Sequence, residues 1–337
     1  MSQTILETGM EIGSPEWMKS YTLSSRTVCR KAQLDLARVD ERIFSIEGDL
    51  AMPAVPFHKE FPTRFKQMGI AEASMVGTAA GMSKRGKIPF VNSFASFLCL
   101  RACEQVRLDV AYHRANVKLA GSYAGISGGP AASTHHCIED IAVIRSMPNM
   151  VILSPADSVE TYKATFAAAA WDGPVYLRVG RAETPQVYDR DYDFVIGKAV
   201  QLADGHDVTL IATGNQIVWE AVQAAKRLRE DGIHCRVLDI HTIKPIDREA
   251  IVAAARATGA VVTAEDHNVL GGLGGAVAEV VAQEAPVPVI RVGLQDCFCE
   301  QVGPYEEMLP VYGLDATGII AAAKRAIDLK ERRRSRA

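Results

Sequence analysis

Short apolar runs alternate with amphipathic stretches along most of this chain, and that alternation limits the fold more than any other feature. Runs at 42–46, 88–92, 118–121, 150–153 and 175–178 read as strands, and stretches at 71–81, 98–112, 138–145 and 158–171 read as helices. Strands separated by whole helices do not pair as hairpins. They build a parallel sheet with helices on both faces. A polar stretch at 181–193, with Pro185 and four acids, reads as an interdomain linker. Strands at 208–212, 235–239 and 260–264 then alternate with helices at 216–231, 248–258 and 274–284. The expected fold is α/β, two parallel-sheet domains with the second the smaller.

A length of 337 residues suits two such domains, and the 48% hydrophobic share supports a large core. A net charge of -3 argues against a nucleic-acid surface. No apolar run is long enough to span a membrane, and the first residues lack a secretory pattern. The seven cysteines are scattered without a CxxC pair, and Cys297-Phe298-Cys299 has no nearby histidine to complete a zinc set. Reduced thiols in a cytoplasmic protein are the expectation. The basic end at 331–337, with Arg332-Arg333-Arg334, is expected to be solvated and disordered.

Several residues carry candidate chemistry. Glu72 follows Gly69-Ile70-Ala71 at a helix start, where an acid serves either as a first-turn partner of the helix dipole or as a buried proton donor. Phe94 and Phe97 lie just past a strand, where α/β sheets place ligands; they are either core or a sandwich for a flat ring. The loop from Gly121 to Thr134 is rich in Gly, Ala, Ser and Pro, and lets backbone approach a ligand. It ends at His135-His136, of which His135 is the preferred proton shuttle; the alternative is one capping and one surface histidine. Arg178 and Arg181 follow a strand and suit an anion, or one of them is a structural ion-pair partner. Gly271-Gly272-Leu273-Gly274-Gly275 opens a helix and reads either as an anion seat or as a tight turn.

These residues fall in an ordered set: Glu47-Gly48-Asp49-Leu50, Phe61-Pro62-Thr63-Arg64-Phe65, Gly69-Ile70-Ala71-Glu72, Phe94-x-x-Phe97, Glu104-Gln105-Val106-Arg107, Thr134-His135, Leu177-Arg178-x-x-Arg181, Thr242-Ile243-Lys244-Pro245 and Glu265-Asp266-His267. The set resembles the C-terminal half of a transketolase, as in the C-terminal subunit of a split enzyme. The resemblance implies an N-terminal arm at 1–21, a pyrimidine-binding domain at 22–190, a transketolase C-terminal domain at 191–330 and the basic tail. It implies thiamine diphosphate as cofactor, with Glu72 on a pyrimidine ring nitrogen, Phe94 and Phe97 stacked on that ring and Asp49 close by. It also implies that His135 touches the sugar, that Arg181 and Arg26 bind its phosphate, and that Tyr123 lines the substrate site.

Departures from the family pattern fall at the substrate end. Ala131-Ala132-Ser133 stands where relatives carry an Asp-Gly pair, Tyr123 where a histidine is frequent, Leu100 where some have a third aromatic, and Pro53 near an expected serine. The Gly-Asp-Gly motif that holds Mg²⁺ and the diphosphate in this family is missing from the chain. The resemblance therefore implies a separate N-terminal subunit supplying the Mg²⁺ ligands, an α2β2 heterotetramer, and transfer of a two-carbon ketol unit from a ketose or its phosphate to an aldose. Its alternatives are a 1-deoxyxylulose-5-phosphate synthase-like or 2-oxo-acid dehydrogenase beta-type subunit, or a non-catalytic subunit that keeps the fold.

Overall fold

The computed structural model describes residues 24–50, 57–188 and 192–335. The first unit contains β1 (Ile43–Glu47), β2 (Phe65–Gln67), β3 (Ile88–Phe94), β4 (Lys118–Ser122), β5 (Val151–Leu153) and β6 (Val175–Arg178). The second contains β7 (Val200–Ala203), β8 (Val208–Ala212), β9 (Cys235–Asp239), β10 (Thr242–Lys244), β11 (Val261–Asn268) and β12 (Val289–Leu294). The seven-stranded sheet runs β10-β5-β6-β4-β3-β1-β2, and the five-stranded sheet runs β12-β11-β8-β9-β7. All pairs are parallel except β10 with β5 and β7 with β9, so each sheet carries one antiparallel edge.

The two units are not separate bodies joined by a flexible link. β10 belongs to the second unit in sequence yet completes the first sheet, with Thr242 opposite Leu153. Ile152 and Tyr176 of the first unit share a continuous buried core with Ile211, Ile243 and Leu273 of the second. Transferring such apolar area out of water, at roughly 25 cal/mol per Å², ties the units together.

The parallel order explains why the site forms where it does. β1, β3, β4 and β6 are neighbours in the sheet and all point the same way. Their C-terminal ends therefore lie along one edge and release Asp49, Phe94, Tyr123 and Arg181 in that spatial order. That edge is where open α/β sheets bind ligands. The helix Ser25–Val39 brings Arg26 to the same edge, because Ser25 Oγ accepts from Gly180 N at 2.8 Å and Arg26 N donates to Gly180 O at 3.1 Å.

Two expectations are corrected. The stretch read as one regular helix at 98–112 is wound as π turns, Phe97–Arg101 and Val106–Tyr112, on either side of the single α turn Cys103–Gln105. A π turn takes up one extra residue and shifts the phase of the helix that follows. The basic end is helical as far as Arg334 and exposed, rather than disordered. The helix Ala316–Arg334 is capped by Asp315, which accepts from Gly318 N, and buries Ile319, Ala323 and Ala326. Arginines in its last turn also suit the negative end of the helix dipole. Pro53 and residues 189–191 of the polar stretch lie outside the described residues.

The described part of that stretch is held firmly. Val187 N and Tyr188 N both donate to Asp157 Oδ2 at 2.8 Å. Tyr188 stacks on Tyr192 at 4.5 Å. The Tyr188 hydroxyl donates to Asp239 Oδ2 at 2.8 Å, and the Tyr192 hydroxyl donates to Glu160. Burial pushes the Asp239 carboxyl up to about 7, and burial with the nearby Asp239 charge pushes Glu160 well up. The native state thus holds a proton that the unfolded chain, with Asp near 3.8, releases. Asp239 alone therefore makes unfolding easier as pH rises from about 4 to about 7. His241 acts in the opposite sense: burial lowers it to about 4, so the stability it allows is lost as pH falls below its ordinary 6.5. The two slopes oppose each other in the wild type, and substitution separates them. Asp239→Asn keeps an acceptor for Tyr188 but removes the titration. Its stability relative to wild type should climb by about 1.4 kcal/mol per pH unit between pH 5 and pH 7, read from urea midpoints. An offset that does not change with pH would refute the buried-proton account.

Candidate active site

Glu72 is the first residue of the helix Glu72–Ser83 and is 1% exposed. Its carboxylate does not cap that helix. Oε1 accepts from Ser93 Oγ at 3.2 Å, and Oε2 accepts from Arg101 Nη1 at 2.8 Å. Ser93 precedes Phe94 at the end of β3, so strand and helix deliver the acid and the ring side by side. Small residues in the helix permit the close approach, and Gly77 faces Asp109 Oδ2.

Four rings form a contiguous cluster, joined to this acid through Arg101, whose guanidinium lies over Phe97. Phe94 and Phe97 meet edge to face at 5.5 Å, a geometry worth about 0.5–1.5 kcal/mol beyond burial. His135 lies 4.8 Å from Phe94 and 5.4 Å from Phe97, and Tyr123 lies 4.5 Å from Phe94. Arg26 and Arg181 reach the Tyr123 ring at 5.2 Å and 5.3 Å. Arg26 Nη1 also donates to the Tyr123 hydroxyl at 3.4 Å, and Arg181 Nη1 donates to Gly128 O at 3.2 Å. A cavity of about 520 Å³ opens beside both arginines, lined also by Ser127 and Tyr305. A second cavity of about 300 Å³ lies on the side of Phe97 and Arg101, with Thr134, His136 and Phe298.

The sequence-derived candidates Glu72, Phe94, Phe97, Tyr123, His135, Arg26 and Arg181 are thus in one place. Asp49 sits apart from the rings. It is exposed, with φ 51°, and its backbone N–H donates at 2.8 Å to Oε1 of Gln67, the last residue of β2. His136 is buried, at 7% exposure, so the pair is neither a cap nor a surface feature. Of the two arginines at the end of β6, Arg178 is the structural one. It donates from Nε to Asp140 Oδ2 at 3.0 Å, and both side chains are buried.

The loop carrying Tyr123 and His135 is conformationally strained and held from the second unit. Tyr123 and Ala132 both have φ 61° without being glycine, which costs of order 1–3 kcal/mol each. Asp266 is what offsets this. Its Oδ1 accepts from Ile126 N at 2.9 Å, its Oδ2 accepts from the Tyr305 hydroxyl at 2.7 Å, and its backbone carbonyl accepts from Arg178 Nη2 at 2.5 Å. A Cβ at Gly125 would overlap the Asp266 carboxylate, so only glycine fits there. The glycine-rich turn at 271–275 has an anion seat, and the chain fills it itself: Glu265 accepts from Leu273 N at 2.6 Å and from Gly274 N at 2.7 Å. The Glu265-Asp266-His267 segment is therefore scaffolding for the site. Sequence reading missed Ser93 and Arg101. The four-residue step from Phe97 to Arg101 is the signal, since such a step lies on one helical face; reading the helix as starting at 98 leaves Phe97 off it.

Among the described residues, no three His, Cys, Asp or Glu side chains are grouped to hold a metal ion, and no helix is long and apolar enough to cross a membrane. Comparison with known proteins gives a consistent answer. The family model for the transketolase pyrimidine binding domain matches residues 22–186, and that for the transketolase C-terminal domain matches residues 197–319. A 6-deoxy-6-sulfo-D-fructose transketolase subunit of Clostridium sp. (strain MSTE9) is 42% identical over 299 residues, covering 88% of this chain and 92% of that protein. One of the subunits of an apulose-4-phosphate transketolase from Phocaeicola vulgatus is 44% identical over 304 residues, covering 88% of this chain and 96% of that one. Mouse transketolase is 37% identical over 315 residues, covering 90% of this chain but 50% of its own length. A solved split-gene transketolase, described as an inactive beta4 tetramer, superposes with a TM-score of 0.84 at 42% identity, covering 92% of this chain and all of that one. With both domains matched in order, over a length comparable to separate transketolase subunits, the chain belongs to the transketolase family as a C-terminal, pyrimidine-binding half.

Proposed function

We propose that the chain is the C-terminal subunit of a thiamine diphosphate-dependent transketolase, moving a two-carbon ketol unit from a ketose, or its phosphate, to an aldose acceptor. The observation that carries the reading is the buried Glu72 carboxylate, bonded to Ser93 and Arg101, next to a cluster in which Phe94, Phe97 and His135 meet and Arg101 lies over Phe97. That donor set fits an aminopyrimidine, which needs a flat apolar face and one carboxyl at its edge. When bound, thiamine diphosphate supplies the carbon nucleophile that takes up the two-carbon unit.

The chain's own residues then have separate tasks. Phe94 and Phe97 hold the pyrimidine face and exclude water from it. Glu72 holds a proton at the ring nitrogen, and Asp49, on the loop after β1, lines the approach. His135 Nδ1 is engaged by Thr134 Oγ1 at 2.9 Å, which leaves Nε2 to exchange a proton with a sugar oxygen. Arg26 and Arg181, braced on Tyr123, hold the anionic end of the substrate and orient its carbonyl. The Mg²⁺ ligands come from a separate N-terminal subunit, and the working assembly is α2β2. The description of the solved relative as inactive in a beta4 state agrees with that requirement.

The direct test is to purify the chain with and without its N-terminal partner and assay ketol transfer with thiamine diphosphate and Mg²⁺. Turnover by this chain alone would end the two-subunit reading. Arg181→Ala should raise KM for a phosphorylated ketose about 10- to 100-fold, the worth of one charge-assisted hydrogen bond. It should leave kcat and the KM of a non-phosphorylated ketose nearly unchanged. Equal losses on both substrates would remove Arg181 from anion recognition.

A further inference from the structure

We infer that Arg101 and the cofactor's pyrimidine ring compete for Glu72 and for the face of Phe97, so that the guanidinium is exchanged for the ring on binding. The inference rests on the cofactor reading above and adds a residue which that reading does not use. Arg101 Nη1 donates to Glu72 Oε2 at 2.8 Å, and the guanidinium carbon lies 4.2 Å from the centre of the Phe97 ring. A guanidinium is flat, cationic and rich in N–H donors. In this position it makes the two contacts expected of an aminopyrimidine: a planar group against Phe97 and an N–H···O bond to the buried acid. Two planar groups cannot share that face of Phe97, so one displaces the other.

The burial of the two partners is unequal, and this makes exchange feasible. The Glu72 side chain is 2% exposed, whereas the Arg101 side chain is 47% exposed. Left alone, a buried carboxylate with only Ser93 as donor would be costly. Arg101 removes that cost, and its half-exposed side chain can swing into solvent along the edge of the 300 Å³ cavity that it lines. Arg101 ends the π turn that Phe97 begins, and its guanidinium lies over that ring. Since the ion pair must be given up on binding, the apparent cofactor affinity is lowered by the fraction of subunits in which the pair is closed.

The proposal fixes the sign of an effect that ordinary structural damage would reverse. In the complex with the N-terminal subunit, thiamine diphosphate with Mg²⁺ is titrated by calorimetry. Arg101→Leu should lower the dissociation constant about tenfold relative to wild type, with Arg101→Lys in between, since it keeps the charge and loses the plane. Urea midpoints of the three proteins serve as the folding control. Equal or weaker binding by a folded Arg101→Leu overturns the exchange and leaves the cofactor reading intact. Absence of binding in both wild type and variant complexes overturns the cofactor reading, and the exchange with it.

Discussion

Glu72→Gln should lower kcat/KM for ketol transfer by about 10²–10⁴-fold in the complex with the N-terminal subunit, the range expected for a positioned proton-transfer group. The glutamine matches the glutamate in shape. Its carbonyl oxygen can still accept from Ser93, and the fold should tolerate it, because the lost ionic partner, Arg101, is half exposed and can be solvated. What the amide cannot do is give up or take a proton. The loss should therefore appear in kcat, with the substrate KM little changed, as for an interaction used in the transition state rather than in ground-state binding. Steady-state kinetics on the reconstituted complex, with a circular-dichroism melt as control, decide the matter. Activity within tenfold of wild type would show that Glu72 is structural and would favour a subunit that kept the fold without the chemistry.

Much of the site is legible in the sequence because a parallel sheet collects the ends of its strands at one edge. Phe94, Tyr123 and Arg181 follow three different strands, so once the strands are read as parallel their meeting is a topological consequence. Glu72 is legible for a related reason, as a helix start at that edge. Other features leave weaker traces. β10 is three residues long, and its membership of the first sheet depends on tertiary packing rather than on any local period. The helix Ser25–Val39 begins on the Ser25-Arg26-Thr27 motif, which draws the eye to chemistry rather than to periodicity. β7 and β12 are partly exposed edge strands without a continuous apolar run. The Arg101–Glu72 contact joins residues on two different helices, which no helical period reveals. The glycine-rich turn at 271–275 shows the converse: the motif does form an anion seat, but the anion is Glu265 from the preceding strand.

Arg178→Met should destabilise the chain by about 3–5 kcal/mol, the usual consequence of leaving a buried charge without its partner. Asp140 is fully buried, and Arg178 donates to it from Nε while the Tyr176 hydroxyl donates to its Oδ2 at 2.8 Å. Burial opposes the charge on Arg178, but the Asp140 and Asp266 carboxylates outweigh it and hold the guanidinium firmly protonated. Methionine fills much of the volume and supplies no donor, so Asp140 keeps the Tyr176 hydroxyl, with His267 Nε2 3.9 Å from Oδ1, and the Asp266 carbonyl loses its bond to Nη2. Adding Asp140→Asn removes the stranded charge while retaining an acceptor for Tyr176. The double variant should therefore lose less than the sum of the two single losses, by about 1–3 kcal/mol of coupling. The pair also carries strain from one unit to the other. Asp266 holds the loop of Tyr123 and His135 through Ile126 N, and Arg178 is the link from β6 to Asp266. The folded fraction of Arg178→Met should accordingly show a raised substrate KM, although Arg178 does not line the cavity beside Arg26 and Arg181. Urea unfolding of the four proteins in the double-mutant cycle gives the coupling, and kinetics at low urea give the KM. Strictly additive losses with an unchanged KM would mean that the pair neither stabilises the interface nor positions the loop.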